Sequence, residues 1–201
     1  ADAVATLSAR QILVSLGHSA ADAGTTRRAV DAGARMVTHL GNAMGALHHR
    51  APGLAGVALT DDRLTVGIIA DGVHTAPEWV ALAFSAKGAG ATALVTDAIA
   101  HAHPSARRLG IEVRQGAPRL ADGTIAGSVL SMHQAVATAR AAGVPLADAL
   151  TAATATPARL LGLADRGTLE PGRRGDLVAL DPETLEPIAT WVAGRRRPAA
   201  R

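Results

Sequence analysis

The stretch Leu64-Thr65-Val66-Gly67-Ile68-Ile69-Ala70-Asp71-Gly72-Val73-His74-Thr75-Ala76-Pro77 reads as one unit of a repeating plan. Its first seven residues form an apolar run of strand length. The run stops just short of a histidine, a side chain able to bind a metal or move a proton. Thr75 is placed to cap a helix, and Pro77 falls in its first turn, where a missing N–H is harmless. An apolar helix is expected from there through residues 84–86, with Lys87-Gly88 ending it.

Outward from this unit the plan recurs. Ile12-Leu13-Val14-Ser15-Leu16 leads to His18, Ala34-Arg35-Met36-Val37-Thr38 to His39, and Thr92-Ala93-Leu94-Val95-Thr96 to Asp97. After His18, Ser19 is expected to cap a helix over residues 20–32, with Gly33 at its stop. Continuous apolar strands separated by helices predict an α/β fold whose parallel sheet is buried on both faces. The pattern leaves open whether that sheet closes into a barrel. In β/α barrels the chemistry lies at the C-terminal ends of the strands. His18, His39, His74 and Asp97 are therefore expected to meet at one mouth.

Further along, helices are expected over residues 131–142 and 146–154, and a short one after Thr156-Pro157-Ala158, ending near Leu161. From Gly167 the texture changes to turns and short strands, over residues 167–169, 176–180 and 187–192. These are too few to bury a core unaided.

Composition narrows the classes. The 201 residues suit one domain with a small appendage, and are short of the roughly 250 of a closed eight-stranded barrel. There is no cysteine, so disulfides and thiolate metal sites are excluded and any metal must be held by histidine and carboxylate. The net charge is +3, but aromatics are 1%, leaving almost no stacking platforms for a nucleic acid. No nucleic-acid partner is expected. Arg195-Arg196-Arg197 with Arg201 reads as a solvated terminal tail. Neither a signal peptide nor a membrane span is recognised, so a soluble protein with no membrane partner is expected.

The blocks around the candidate residues resemble a known family. Gly17-His18-Ser19, Thr38-His39-Leu40-Gly41-Asn42-Ala43-Met44, Asp71-Gly72-Val73-His74 and Val95-Thr96-Asp97-Ala98 are similar, in this order, to the C-terminal half of the N-acetylglucosamine-6-phosphate deacetylases, metal-dependent members of the amidohydrolase superfamily. The similarity continues through Leu47-His48-His49-Arg50-Ala51-Pro52-Gly53-Leu54, Ala121-Asp122-Gly123-Thr124-Ile125-Ala126-Gly127-Ser128, Thr156-Pro157-Ala158-Arg159 and Gly167-Thr168-Leu169-Glu170-Pro171-Gly172.

The resemblance implies a partial (β/α)8 TIM-type barrel over residues 1–165, and, over residues 166–201, strands of a small β-sandwich with the basic tail. It implies a divalent metal cation, zinc first and iron as an alternative, held by His18 and His39. It makes Asp97 the general base that takes a proton from water. His74 would touch the substrate near the attacked carbonyl, with metal ligation as its alternative role. Asn42, Ala43 and Arg50 would bind the sugar phosphate, Arg50 by its bidentate fork. Backbone at Ile125, Ala126 and Gly127 would contact substrate. Arg50 reaching a neighbour's site implies a homodimer, and amino-sugar catabolism implies a cytoplasmic protein.

The family's glutamate ligand and first barrel strands have no counterpart in the 201 residues, so a fragment is expected. His101-Ala102-His103 copies a His-x-His metal motif but stands after the last strand, before Pro104, and is not expected to bind metal. His48, His49 and His133 are expected on loops or helix surfaces. Alternatives are an amidohydrolase acting on a cyclic amide or another acetylated amino sugar, and a non-catalytic remnant or interaction module.

Overall fold

The computed structural model describes residues 1–101, 103, 106 and 108–198. Ala102 and Pro104, beside the two histidines of the His-x-His motif, and Arg201 of the basic tail lie outside the described residues. The fold is α/β. Strands β1 (Ser15–Leu16), β2 (Met36–Val37), β3 (Thr65–Ile68) and β4 (Thr92–Leu94) form a parallel sheet in that order. Each strand is shorter than the apolar run that announced it. The runs nevertheless stay tied beyond the ladder: Thr38 donates its backbone N–H to the Leu16 carbonyl, Leu40 to Gly67, and Val95 to Ile68.

Helices alternate with these strands: α1 (Asp2–Ala9), α2 (Ala23–Asp31), α3 (Gly53–Thr60) and α4 (Pro77–Lys87). After β4 come α5 (Met132–Ala141), α6 (Leu146–Ala153) and α7 (Ala155–Leu160). Val37, Val66 and Ile68 of the sheet share one buried apolar cluster with Leu54 and Val57 of α3, Val80 and Phe84 of α4 and Val136 of α5. α3 buries Leu54, Ala55, Gly56, Val57 and Ala58 in succession. It therefore lacks the one-sided stripe by which a surface helix is recognised.

Two expected caps differ. α2 starts at Ala23, not at residue 20, because Asp22 outcompetes Ser19: its Oδ1 accepts the Thr25 N–H at 2.6 Å. A carboxylate at a helix N-terminus also gains from the helix dipole. Ser19 closes a small turn instead, accepting from Ala21 N–H at 3.1 Å. Before α4, Ala76 is the N-cap, and the buried Thr75 hydroxyl turns back to donate to the Ile69 carbonyl. Pro77 and Gly88 bound that helix as expected. α5 has a full capping box between Ser131 and Gln134.

Helices α1 and α3 and the two strands of a hairpin were not foreseen. The hairpin joins β5 (Glu112–Arg114) to β6 (Ala117–Arg119) through Gln115 and Gly116, both at positive φ. That is the geometry of a two-residue type I′ turn. The arginine run is also not a free tail. Residues Arg195–Arg197 are strand β9, paired antiparallel with β8 (Pro187–Val192), which pairs with β7 (Leu177–Leu180). Ladder bonds use backbone alone, and arginine side chains on an edge strand stay in water. The strand expected over residues 167–169 is absent; Leu169 is 84% exposed in irregular chain. The β7–β8 turn plants Leu185 in the main cluster, which ties the three-stranded sheet to the rest.

Candidate active site

Parallel register fixes where the strand-end residues stand. Leu16 pairs with Val37, so His18 and His39, each two residues on, sit at one level at the C-terminal edge of β1 and β2. Val37 pairs with Val66, and Ile68 with Leu94, which puts Asp97 three residues beyond that level on β4. His18, His39 and Asp97 all have positive φ, of 47°, 29° and 51°. Left-handed backbone at non-glycine residues costs of order 1–3 kcal/mol each, and such strain clusters at functional sites. Three bends of one kind, each at a strand end, turn each side chain off its strand's alternation.

His18 and His39 come together. Their Nε2 atoms are 2.8 Å apart and the rings meet edge to face, with centroids 4.7 Å apart. His18 is exposed, whereas His39 is only 6% exposed and its Nδ1 is buried with no hydrogen-bond partner. Two neutral imidazoles facing nitrogen to nitrogen suit a shared cation, since ring lone pairs are good ligands for zinc and iron. A third ligand is missing: among the described residues no group of three or more His, Cys, Asp or Glu is arranged to hold a metal ion. The donor set thus fits a divalent cation in part, with two ligands from this chain.

Of the four strand-end side chains expected to meet, His18 and His39 are in direct contact. His74 is turned to a different partner: its Nδ1 lies 2.6 Å from Asp71 Oδ2, and both side chains are more than nine-tenths buried. Asp71 Oδ1 accepts the N–H groups of Val73 and His74, at 2.8 and 2.7 Å. His74 Nε2 is buried without a partner. The ring lines a cavity of about 270 Å³ with Gly41, Met44, Leu47, Thr75 and Trp79.

That cavity explains a glycine. A Cβ on Gly41, at φ +93°, would stand 2.8 Å from Trp79 Nε1, which donates to the Leu40 carbonyl at 3.0 Å. Trp79 of α4 thereby pins the loop that follows His39. In that loop Asn42 folds back, its backbone N–H donating to the His39 carbonyl at 3.0 Å, while Ala43 takes positive φ. Arg50 stands on an exposed turn, its Nη1 2.8 Å from His49 Nε2. His48 packs against His49 at 4.3 Å between centroids.

Asp97 is exposed, and its backbone is braced by the segment carrying Ile125, Ala126 and Gly127. Ser128 N–H donates to the Asp97 carbonyl at 2.8 Å, Ile99 N–H to the Ser128 carbonyl at 3.1 Å, and the Ser128 hydroxyl to the Thr96 carbonyl. Gly127, at φ +94°, passes so close that a Cβ would lie 2.8 Å from the Asp97 carbonyl. His101 turns to the Ile99 carbonyl at 3.3 Å, and His133 to Glu186 at 3.3 Å. Sequence reasoning missed Asp71, Trp79 and Ser128. Asp71 had a signal available, an aspartate three residues before the histidine with a glycine between.

The chain is similar to known proteins along almost its whole length. The chain is 43% identical over 197 residues to an N-acetylglucosamine-6-phosphate deacetylase of Caenorhabditis elegans, covering 91% of this chain and 46% of that protein. It is 40% identical over 200 residues to an N-acetylgalactosamine-6-phosphate deacetylase of Escherichia coli O157:H7, covering 96% and 52%. The crystal structure of the Thermotoga maritima N-acetylglucosamine-6-phosphate deacetylase superposes with a TM-score of 0.89 at 35% identity, over 97% of this chain and 55% of that one. A Mycobacterium smegmatis mutant enzyme in complex with N-acetyl-D-glucosamine-6-phosphate gives 0.86 at 37% identity, over 97% and 54%. The chain spans about half the length of the curated relatives it matches. The sequence model of the amidohydrolase family matches residues 3–197, nearly the full length, and with paired histidines at adjacent strand ends the chain belongs to that family.

Proposed function

We propose that this chain is the part of a metal-dependent deacetylase that supplies two metal ligands, the general base and most of the substrate contacts. The reaction is hydrolysis of N-acetylglucosamine 6-phosphate to glucosamine 6-phosphate and acetate. One observation carries the reading: the Nε2 atoms of His18 and His39 face each other at 2.8 Å on adjacent parallel strands. Similarity to deacetylases of two phosphorylated amino sugars supports the substrate class.

His18 and His39 would hold a divalent cation, zinc or iron, which when bound would supply Lewis acidity toward water and the acyl oxygen. Asp97 takes the proton of the attacking water and returns it to the departing amine, a shuttle for which an exposed carboxylate on a braced backbone is suited. His74 touches the substrate beside the acyl group. Asn42 and Ala43 bind the phosphate from the Trp79-pinned loop, and Arg50 grips it across a homodimer interface from its exposed turn. Ile125, Ala126 and Gly127 offer backbone to the sugar, where the glycine permits close approach.

The architecture that goes with this reading is part of a (β/α)8 barrel over residues 1–165, with residues 166–201 contributing strands of a small β-sandwich, in a cytoplasmic enzyme. No helix among the described residues is long and apolar enough to cross a membrane. The test is Asp97→Asn in the full-length protein: turnover of the acetylated sugar phosphate should disappear while bound metal stays at the wild-type level. Substantial retained activity rejects Asp97 as the base.

The 40% identity to an N-acetylgalactosamine-6-phosphate deacetylase favours a second reading in which the galacto epimer is the substrate. Competition among the two sugar phosphates and N-acetylglucosamine separates these. Loss of the phosphate should weaken binding in either case, and the preferred epimer decides between them.

A further inference from the structure

The strand-end histidine His74 differs from His18 and His39 in having a dedicated charged partner. Asp71 Oδ1 is occupied by two backbone N–H groups, of Val73 and His74, and its Oδ2 is 2.6 Å from His74 Nδ1. A carboxylate making three such contacts acts as acceptor in all of them, so the short contact requires the proton on Nδ1. In its neutral form the ring then carries its lone pair on Nε2. That atom is buried without a partner, in a side chain 5% exposed that lines the cavity beside the loop after His39.

We infer that Asp71 is a positioning residue that holds the proton of His74 on Nδ1, so that the neutral form of the ring exists as the Nδ1–H tautomer and meets the substrate as a hydrogen-bond acceptor at Nε2, toward an amide N–H or a sugar hydroxyl. This rests on the proposed reading of His74 as substrate-facing and sharpens it. Donation to an acyl oxygen from Nε2 requires the doubly protonated ring, whereas acceptance does not. The arrangement follows the general pattern in which a carboxylate fixes the tautomer and orientation of a functional histidine.

Replacing Asp71 with asparagine reverses the lock. The two backbone N–H groups hold the amide oxygen at the Oδ1 position, which leaves the amide NH2 facing His74 Nδ1 as a donor. His74 must then accept at Nδ1 and carry its proton on Nε2. An Asp71 that served only to close the 71–74 turn through Oδ1, without holding the proton on His74 Nδ1, would not produce this exchange, because both side chains close the turn alike.

The experiment is two-bond proton–nitrogen correlation of the imidazoles in 15N-labelled full-length protein, read at the alkaline plateau where the ring signals no longer move. His74→Gln identifies the His74 set among the histidine signals by its loss. The expected wild-type pattern has Nδ1 protonated and Nε2 bare, and Asp71→Asn should exchange the two. A wild-type spectrum with the proton on Nε2 overturns the inference without reference to any variant, which keeps the test valid even where Asp71→Asn folds poorly. A folded Asp71→Asn protein with an unchanged pattern overturns it as well. Absence of deacetylase activity beside the expected tautomers would reject the substrate reading and leave the lock standing.

Discussion

Single residues at the strand ends carry more strain than their surroundings. Beside the bend at Asp97, Gly127 leaves no room for a side chain, since an added methyl would meet the Asp97 carbonyl at 2.8 Å and Ile99 Cγ2 at 2.7 Å, at a φ of +94° that alanine resists. Gly127→Ala should therefore lose roughly 2–4 kcal/mol, the sum of backbone strain and overpacking. Denaturant unfolding measures it, and a loss under about 0.5 kcal/mol would mean that the Asp97 bend is not clamped as described. The paired histidines make a second prediction. Zinc added to the full-length protein at a hundredfold excess over its dissociation constant should raise stability by about 2.7 kcal/mol. That gain should vanish in both His18→Ala and His39→Ala. A gain surviving in either variant would place the cation elsewhere.

At the scale of elements, capping decides where helices begin, and the Ser131–Gln134 box is the most complete one. Ser131→Ala removes the hydroxyl that serves the N-terminus of α5, whose Ala135, Val136 and Ala139 are buried. A loss of about 1 kcal/mol is expected in thermal or urea unfolding; no change would show the box to be ornamental. The same scale explains what could be read from sequence. The four strand runs were legible because each is largely apolar, although only β3 and β4 are mostly or wholly buried and β1 at the sheet edge has no buried residue; α4, α5 and α6 were legible because proline, glycine and serine mark their ends. α3 was hidden by being apolar all round, and the β5–β6 hairpin by charged residues Glu112, Arg114 and Arg119 with little burial in β5. β9 was misread because three arginines say nothing of backbone pairing. In the site, His18, His39 and Asp97 were legible through their position after apolar runs. Their backbone bends were not, because histidine and aspartate adopt positive φ only under tertiary constraint. The Asp71–His74 contact needed coordinates for its distance.

Across the whole molecule the two ends of the parallel sheet divide their labour. The C-terminal ends hold the strained histidines and Asp97, and the N-terminal ends hold a clasp. Arg63, just before β3, binds Asp31 at the end of α2 at 2.8 Å and Asp61 at the end of α3 at 2.7 Å, while Lys87 at the end of α4 donates to the Asp61 carbonyl at 2.7 Å. Three helices are thereby fastened at the end of the sheet away from the paired histidines. The hydrogen bonds from Arg63 hold the Asp61 carboxyl at about 2, below its ordinary value, against a smaller opposing effect of burial. A carboxyl whose folded value is depressed contributes stability that is present above the unfolded value and lost as pH falls through the folded one. The window is therefore about pH 4 down to about pH 2. Arg63→Gln should lower the melting temperature at pH 6, and the gap from wild type should shrink through that window and nearly close by pH 2. Because Arg63 is half exposed, added salt should narrow the gap at pH 6 as well. Melting curves by circular dichroism from pH 2 to 6 give the comparison directly; a gap that stays constant down to pH 2 would show that Arg63 stabilises by packing its stem and that the clasp is not electrostatic.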